Sequence, residues 1–283
     1  MNTHPYHLED HMHITSIELL CSDIEQSKLF YTNLLGLSIL DEDNNRIVLG
    51  TTKTKILTLI MGNDQTTLNK TLGLYHFALL LPNASSLAAA IYRLSKNNYP
   101  ISGLTDHGVS IALYLNDPDG NGIELYIDRQ KEDWPIINGH LNMYTKGLHD
   151  NVIMKELPNE IPKLIDEKTI IGHLHFFVSN LKEVKQFYVD IFGFNQMQTY
   201  ANSALFVADG NYHHHIGLNT WQRHALPRKE NEVGLISYHL HIPKINFDIV
   251  KQKLKSYGIN LDADLKVKDP LGQIIYLDVQ EQK

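Results

Sequence analysis

Cysteine is nearly absent from this chain: Cys21 is the only one in 283 residues. A disulfide framework is therefore excluded, and so is a zinc or iron–sulfur site built from thiolates. An excess of positive charge is also missing. Lys and Arg number 25 against 32 Asp and Glu, a net charge of −7, so phosphate-backbone binding is not expected as the main task. No apolar run reaches the ~18 residues of a membrane span. The opening stretch MNTHPYHLEDHMH is polar and lacks the apolar core of a secretory leader. With its one reduced cysteine, the chain is expected to be cytoplasmic, without nucleic-acid or membrane partners. What is plentiful is histidine, with 16 residues whose placement needs an explanation.

The composition is that of a globular protein, 43% hydrophobic and 20% charged. The length exceeds one core of usual size and suits two domains. The chain also repeats itself. ITSIELLCSDIEQSKLFYTNLLGL (14–37) aligns without a gap on IGHLHFFVSNLKEVKQFYVDIFGF (171–194), placing Phe30 on Phe187, Tyr31 on Tyr188 and Gly36 on Gly193. Each copy reads as an apolar strand, a helix capped near Asp23 or Asn180, and a glycine just past the helix end. A second pair, LGLYHFALLLP (72–82) and VGLISYHLHIP (233–243), is again strand-like and leads into helices over about 85–98 and 246–258. Those two segments close with NDPDGNGIELYID (116–128) and KDPLGQIIYLDV (268–279), an Asp-Pro turn entering a strand. Four units follow, each a strand, a helix and about three strands, over 11–62, 72–128, 169–221 and 232–280. The segment between the second and third is charged and unrepeated, and reads as a linker (131–168) with a short helix near 146–155.

Four βαβββ modules in one α+β chain resemble the vicinal oxygen chelate superfamily, which holds glyoxalase I, bleomycin-resistance proteins and extradiol dioxygenases. The resemblance implies two glyoxalase-like incomplete barrels, an N-terminal one over 1–130 and a C-terminal one over 169–283. It also implies where ligands sit: mid-way along a unit's first strand and on its last strand, a few residues after the Asp-Pro turn. At the first place the four units carry Ser16, His76, His173 and Ser237. At the second, unit two has Glu124, unit four has Tyr276, unit three has His213-His214-His215, and unit one offers no ligand. The metal set implied is His76, His173 and Glu124, two imidazoles and a carboxylate, the facial triad of non-haem iron oxygenases. Fe(II) is the expected ion and Mn(II) the alternative. Each histidine alone is more readily a buried core residue bonded to backbone; the joint placement favours the ligand reading.

TDHGVSIALYLNDPDGNGIE (105–124) resembles the extradiol signature, with Thr105-x-His107, then Leu113-Tyr114, then Asp117-Pro118-x-Gly120, then Glu124. By that resemblance Glu124 is a ligand, and Tyr114 and His107 contact substrate oxygens. NYHHHIGLNTW (211–221) is similar to an extradiol strand whose inward histidine acts as acid and base. Alternation puts His213 and His215 on one face and His214 on the other; His215 is the best match, with His213 or His214 the choice if the register slips. The implied reaction is extradiol cleavage of a catechol-type or hydroquinone-type diol with dioxygen. A glyoxalase-type lyase or isomerase, and a metal-free binder of the bleomycin-resistance kind, are the alternatives. The signature lies in unit two rather than unit four, so the site joins units two and three, within the chain or across a homodimer. His4, His7, His11 and His13 read as a polar arm that binds metal only adventitiously.

Overall fold

A computed structural model describes residues 4–8, 10–62 and 71–280. Its strands form two large sheets, and these do not follow the N-terminal and C-terminal halves of the chain. Units two and three share a nine-stranded sheet, in the order Lys146–Gly147, Gly103–Asp106, Ser110–Asn116, Gly122–Asp128, Gly73–Leu80, Ile170–Phe177, Ile216–Asn219, Ala204–Ala208 and Asn195–Tyr200. Units one and four share a seven-stranded sheet, in which His13–Cys21 pairs antiparallel with Gly234–Pro243. The division expected at 1–130 and 169–283 is thus corrected: each barrel takes one unit from each half. First strands pair across units because their apolar faces bury best against one another. Ile17, Phe77, Leu174, Phe176 and Tyr238 lie in one hydrophobic core with the flanking helices.

The helices begin where the sequence places them. The side chains of Asp23, Asn83 and Asn180 accept from the backbone N–H groups of Gln26, Ser86 and Lys182. The two gapless repeats share a further feature: helices Ile24–Leu29 and Leu181–Lys185 each widen into a π turn, Phe30–Leu34 and Gln186–Ile191. Both turns end before a glycine with positive φ, 82° at Gly36 and 85° at Gly193. Unit four is shorter than expected, with two strands, Lys266–Lys268 and Ile274–Gln280, after helix Lys244–Ser256. The linker helix is a single turn, Asn151–Met154. The rest of the linker packs on the barrel, with Lys146–Gly147 adding an edge strand beside Gly103–Asp106. Among the described residues no helix is long and apolar enough to cross a membrane.

Candidate metal centre and its pocket

The centre of the nine-stranded sheet brings three side chains together by register. Strand Gly122–Asp128 runs parallel to Gly73–Leu80 with Glu124 beside Ala78; Ile170–Phe177 runs antiparallel on the other side with His173 beside Ala78. Glu124, Ala78 and His173 therefore form one row across three strands, and His76 lies two residues from Ala78 on the same face. His76, Glu124 and His173 offer ligand atoms within 4.8 Å of one another, the only such group of three among the described residues. Both units come from the same chain, so the centre needs no second copy.

The three side chains are 1–4% exposed. Glu124 Oε2 lies 3.0 Å from His76 Nε2 and 3.2 Å from His173 Nε2. Burial works to raise the Glu124 carboxyl, yet His173 and His76 hold it well below the usual carboxylate range. Burial lowers His173 to about 4, against the pull of Glu124. Apart from the contact of His76 Nε2 with Glu124, the His76 ring nitrogens and His173 Nδ1 have no hydrogen-bond partner. Orphaned buried polar atoms cost roughly 1–3 kcal/mol each. Two imidazoles and one carboxylate whose ligand atoms converge are a fitting donor set for a hard-to-borderline divalent ion.

A cavity of about 440 Å³ opens above this row. On one wall, Tyr114 is the cross-strand partner of Glu124. Its hydroxyl lies 2.8 Å from His107 Nε2, while His107 Nδ1 lies 2.9 Å from the carbonyl of Tyr144 in the linker. A carbonyl only accepts, so His107 donates from Nδ1, and its Nε2 faces two hydroxyls, that of Tyr114 and that of Thr105 at 2.9 Å. Burial and the Glu124 charge raise the Tyr114 phenol well above its ordinary value. The remaining walls combine aromatic side chains, Tyr75, Tyr200, Phe206 and Trp221, with small and polar ones, and among the described residues no Lys or Arg lines the cavity.

The histidine run is placed differently from the expectation. It precedes strand Ile216–Asn219 in an irregular turn, so strict alternation does not govern it. His214 lines the cavity, its ring centroid 4.1 Å from that of His173. His215 faces away: its Nε2 lies 3.1 Å from the Tyr6 carbonyl and its Nδ1 accepts from the Asp209 amide. Of the three histidines in the run, the structure thus brings His214, and not the expected His215, to the cavity. The N-terminal arm is likewise no loose tail. His7 is 2% exposed and packs against His215 and Tyr212, and His4 reaches Asp128 at 3.0 Å.

Sequence reasoning missed His175, which lines the cavity with its ring centroid 4.9 Å from that of His76 and its Nε2 3.1 Å from Asn219 Nδ2. Alternation held the signal, since His175 lies two residues beyond His173 on one strand. In the other sheet the equivalent places hold no metal set: Ser237 donates to Glu18 at 2.6 Å, and Tyr276 stacks on His239.

Comparison with known proteins agrees with this architecture. Residues 13–125 match the model of the Glyoxalase/Bleomycin resistance protein/Dioxygenase superfamily. A catechol-2,3-dioxygenase of Bacillus subtilis (strain 168) is 38% identical over 275 residues, covering 94% of this chain and 96% of that protein. The chain belongs to the glyoxalase/bleomycin resistance/dioxygenase superfamily. Among solved structures, a putative dioxygenase from Bacillus subtilis superposes with a TM-score of 0.64 at 13% identity, covering 96% of this chain and 86% of that one. Glyoxalase I from Zea mays gives 0.57 at 14% identity, over 94% and 92%. These two likenesses concern the fold alone.

Proposed function

We propose that the chain is an extradiol ring-cleaving dioxygenase acting on catechol-type diols. The observation that carries this reading is the His76–Glu124–His173 row at the floor of a cavity whose wall holds the Tyr114–His107 pair. His76, Glu124 and His173 would hold a divalent iron, with manganese as the alternative, and the ion would supply Lewis-acid and dioxygen chemistry to a bound diol. The chain's own residues do the rest. Tyr114 and His107 meet the diol oxygens with a phenol and an imidazole already bonded to each other. The aromatic walls hold the ring and exclude water. His214 stands on the cavity's other side, placed to move a proton to or from the substrate oxygens. The relative's name supports the same chemistry. A cavity without Lys or Arg fits a neutral diol better than one carrying a carboxylate.

The test is oxygen uptake by iron-loaded protein with a panel of catechols and hydroquinones, with identification of the products. One dioxygen consumed per diol and a yellow ring-opened semialdehyde are expected. A dicarboxylic product from cleavage between the hydroxyls, or no uptake with any diol, overturns the reading. Glutathione-hemithioacetal isomerisation without oxygen uptake would turn it to a glyoxalase.

A further inference from the structure

Behind His214 a line of polar groups runs from the cavity to the surface. His214 Nδ1 lies 2.8 Å from His213 Nδ1. His213 Nε2 lies 2.9 Å from Asp128 Oδ1, and the other Asp128 oxygen receives the Tyr212 hydroxyl at 2.9 Å and meets His4 Nε2 at 3.0 Å. His213 and Tyr212 are fully buried. Burial works to raise the Asp128 carboxyl, but His213 and His4 bring it down to about 2. Asp128 is therefore a carboxylate at neutral pH.

The proton positions follow by elimination. A carboxylate only accepts, so His213 carries its hydrogen on Nε2. The 2.8 Å contact between the two Nδ1 atoms holds one hydrogen, and the arrangement that gives each ring a single N–H makes His213 Nδ1 its acceptor. The contact between the two Nδ1 atoms then requires His214 to donate from Nδ1, and its Nε2 is left as a lone pair for the cavity. We propose that Asp128 and His213 are positioning residues that hold His214 in the tautomer whose cavity-facing nitrogen accepts a proton. What that nitrogen accepts from, a diol hydroxyl, rests on the dioxygenase reading; the tautomer itself does not. The arrangement parallels the carboxylate that fixes an imidazole tautomer in hydrolase triads, with a second histidine in between.

The test is the proton position on His214, read from long-range ¹H–¹⁵N spectra of ¹⁵N-histidine-labelled, Zn(II)-loaded protein. The His214 signals are assigned by their loss in His214→Gln. The parent protein should show His214 protonated on Nδ1. In Asp128→Asn the new amide can donate to His213 Nε2, which reverses the chain and moves the His214 proton to Nε2. With catechol, Asp128→Asn should lower kcat by on the order of 10²-fold while the anaerobic Kd for catechol stays within about two-fold, as the diol contacts are untouched. A parent His214 protonated on Nε2 overturns the proposal even if the variant does not fold. A parental kcat in a folded, iron-loaded Asp128→Asn overturns it as well. Absence of catechol turnover in the parent instead sinks the dioxygenase reading and leaves the tautomer result standing.

Discussion

Tyr31 and Tyr188 occupy repeat-equivalent positions and make equivalent bonds. Each hydroxyl donates at 2.8 Å to the aspartate of the next unit's Asp-Pro turn, Asp117 or Asp269. Burial raises both carboxyls to about 6. Tyr31→Phe removes a donor from a buried acceptor and should cost about 1–3 kcal/mol in urea unfolding; an unchanged midpoint would contradict the tie. Gly122 shows a second single-residue constraint. A Cβ there would lie 2.1 Å from the Tyr75 carbonyl oxygen, beside the strand that carries His76. Gly122→Ala should therefore lower both thermal stability and metal affinity; a variant with parental values for both would show that the close approach is dispensable. At this scale the sequence was legible where repeats marked equivalent places, so the convergence of His76, His173 and Glu124 could be anticipated. His215 was misplaced because side-chain alternation holds on a strand and the histidine run lies in the turn before one.

At the scale of elements, the N-terminal arm is the least expected part of the structure. A polar, histidine-rich stretch reads as solvated, and nothing local says otherwise. What holds it is tertiary: Tyr6 stacks on Tyr212 with centroids 5.1 Å apart, His7 Nε2 meets the Gly172 carbonyl at 3.2 Å, and the Met12 amide donates to Asp209. Deleting residues 1–10 removes the Tyr6 and His7 contacts with Tyr212, His215 and Gly172 and leaves the Met12 bond in place. The truncated protein should melt several degrees lower, as a loss of about 1–2 kcal/mol implies for a chain of this size. An unchanged Tm would mean the arm adds nothing. The four repeat-unit helices, by contrast, were legible to within a few residues, since each begins at an Asp or Asn cap or directly after Pro243 and three run into a glycine with positive φ. Their π turns left no mark that periodicity alone could detect.

At the scale of the whole molecule, the four units were legible from internal alignment, but their pairing was not fixed by order along the chain. It follows from which first strands bury against one another, a long-range choice that local pattern does not encode. The signature in unit two and the histidine in unit three pointed to a joint site, and the shared sheet brings the two together. Histidine also sets the response to pH. Burial, first among the causes, lowers His7, His13 and His215, with His13 at about 4. Between pH 7 and 6 the unfolded chain binds protons at these sites and the folded chain does not, so stability falls as pH falls. The loss is at most about 1.4 kcal/mol per pH unit for each extra proton. Below about pH 6 the decline should become shallower, because folded Asp117 and Asp269 then take up protons that their unfolded forms do not. Urea midpoints of metal-free protein at pH 7 and pH 6 check the sign, and a rise on acidification would contradict it.

The central claim is that units two and three build one metal centre per chain from His76, Glu124 and His173. Elemental analysis of iron-loaded protein, run beside Glu124→Ala, tests it most directly. The account predicts about one divalent ion per chain in the parent and nearly none in the variant, with the circular dichroism of the two unchanged. Two ions per chain, or full iron content in a folded Glu124→Ala, would contradict it.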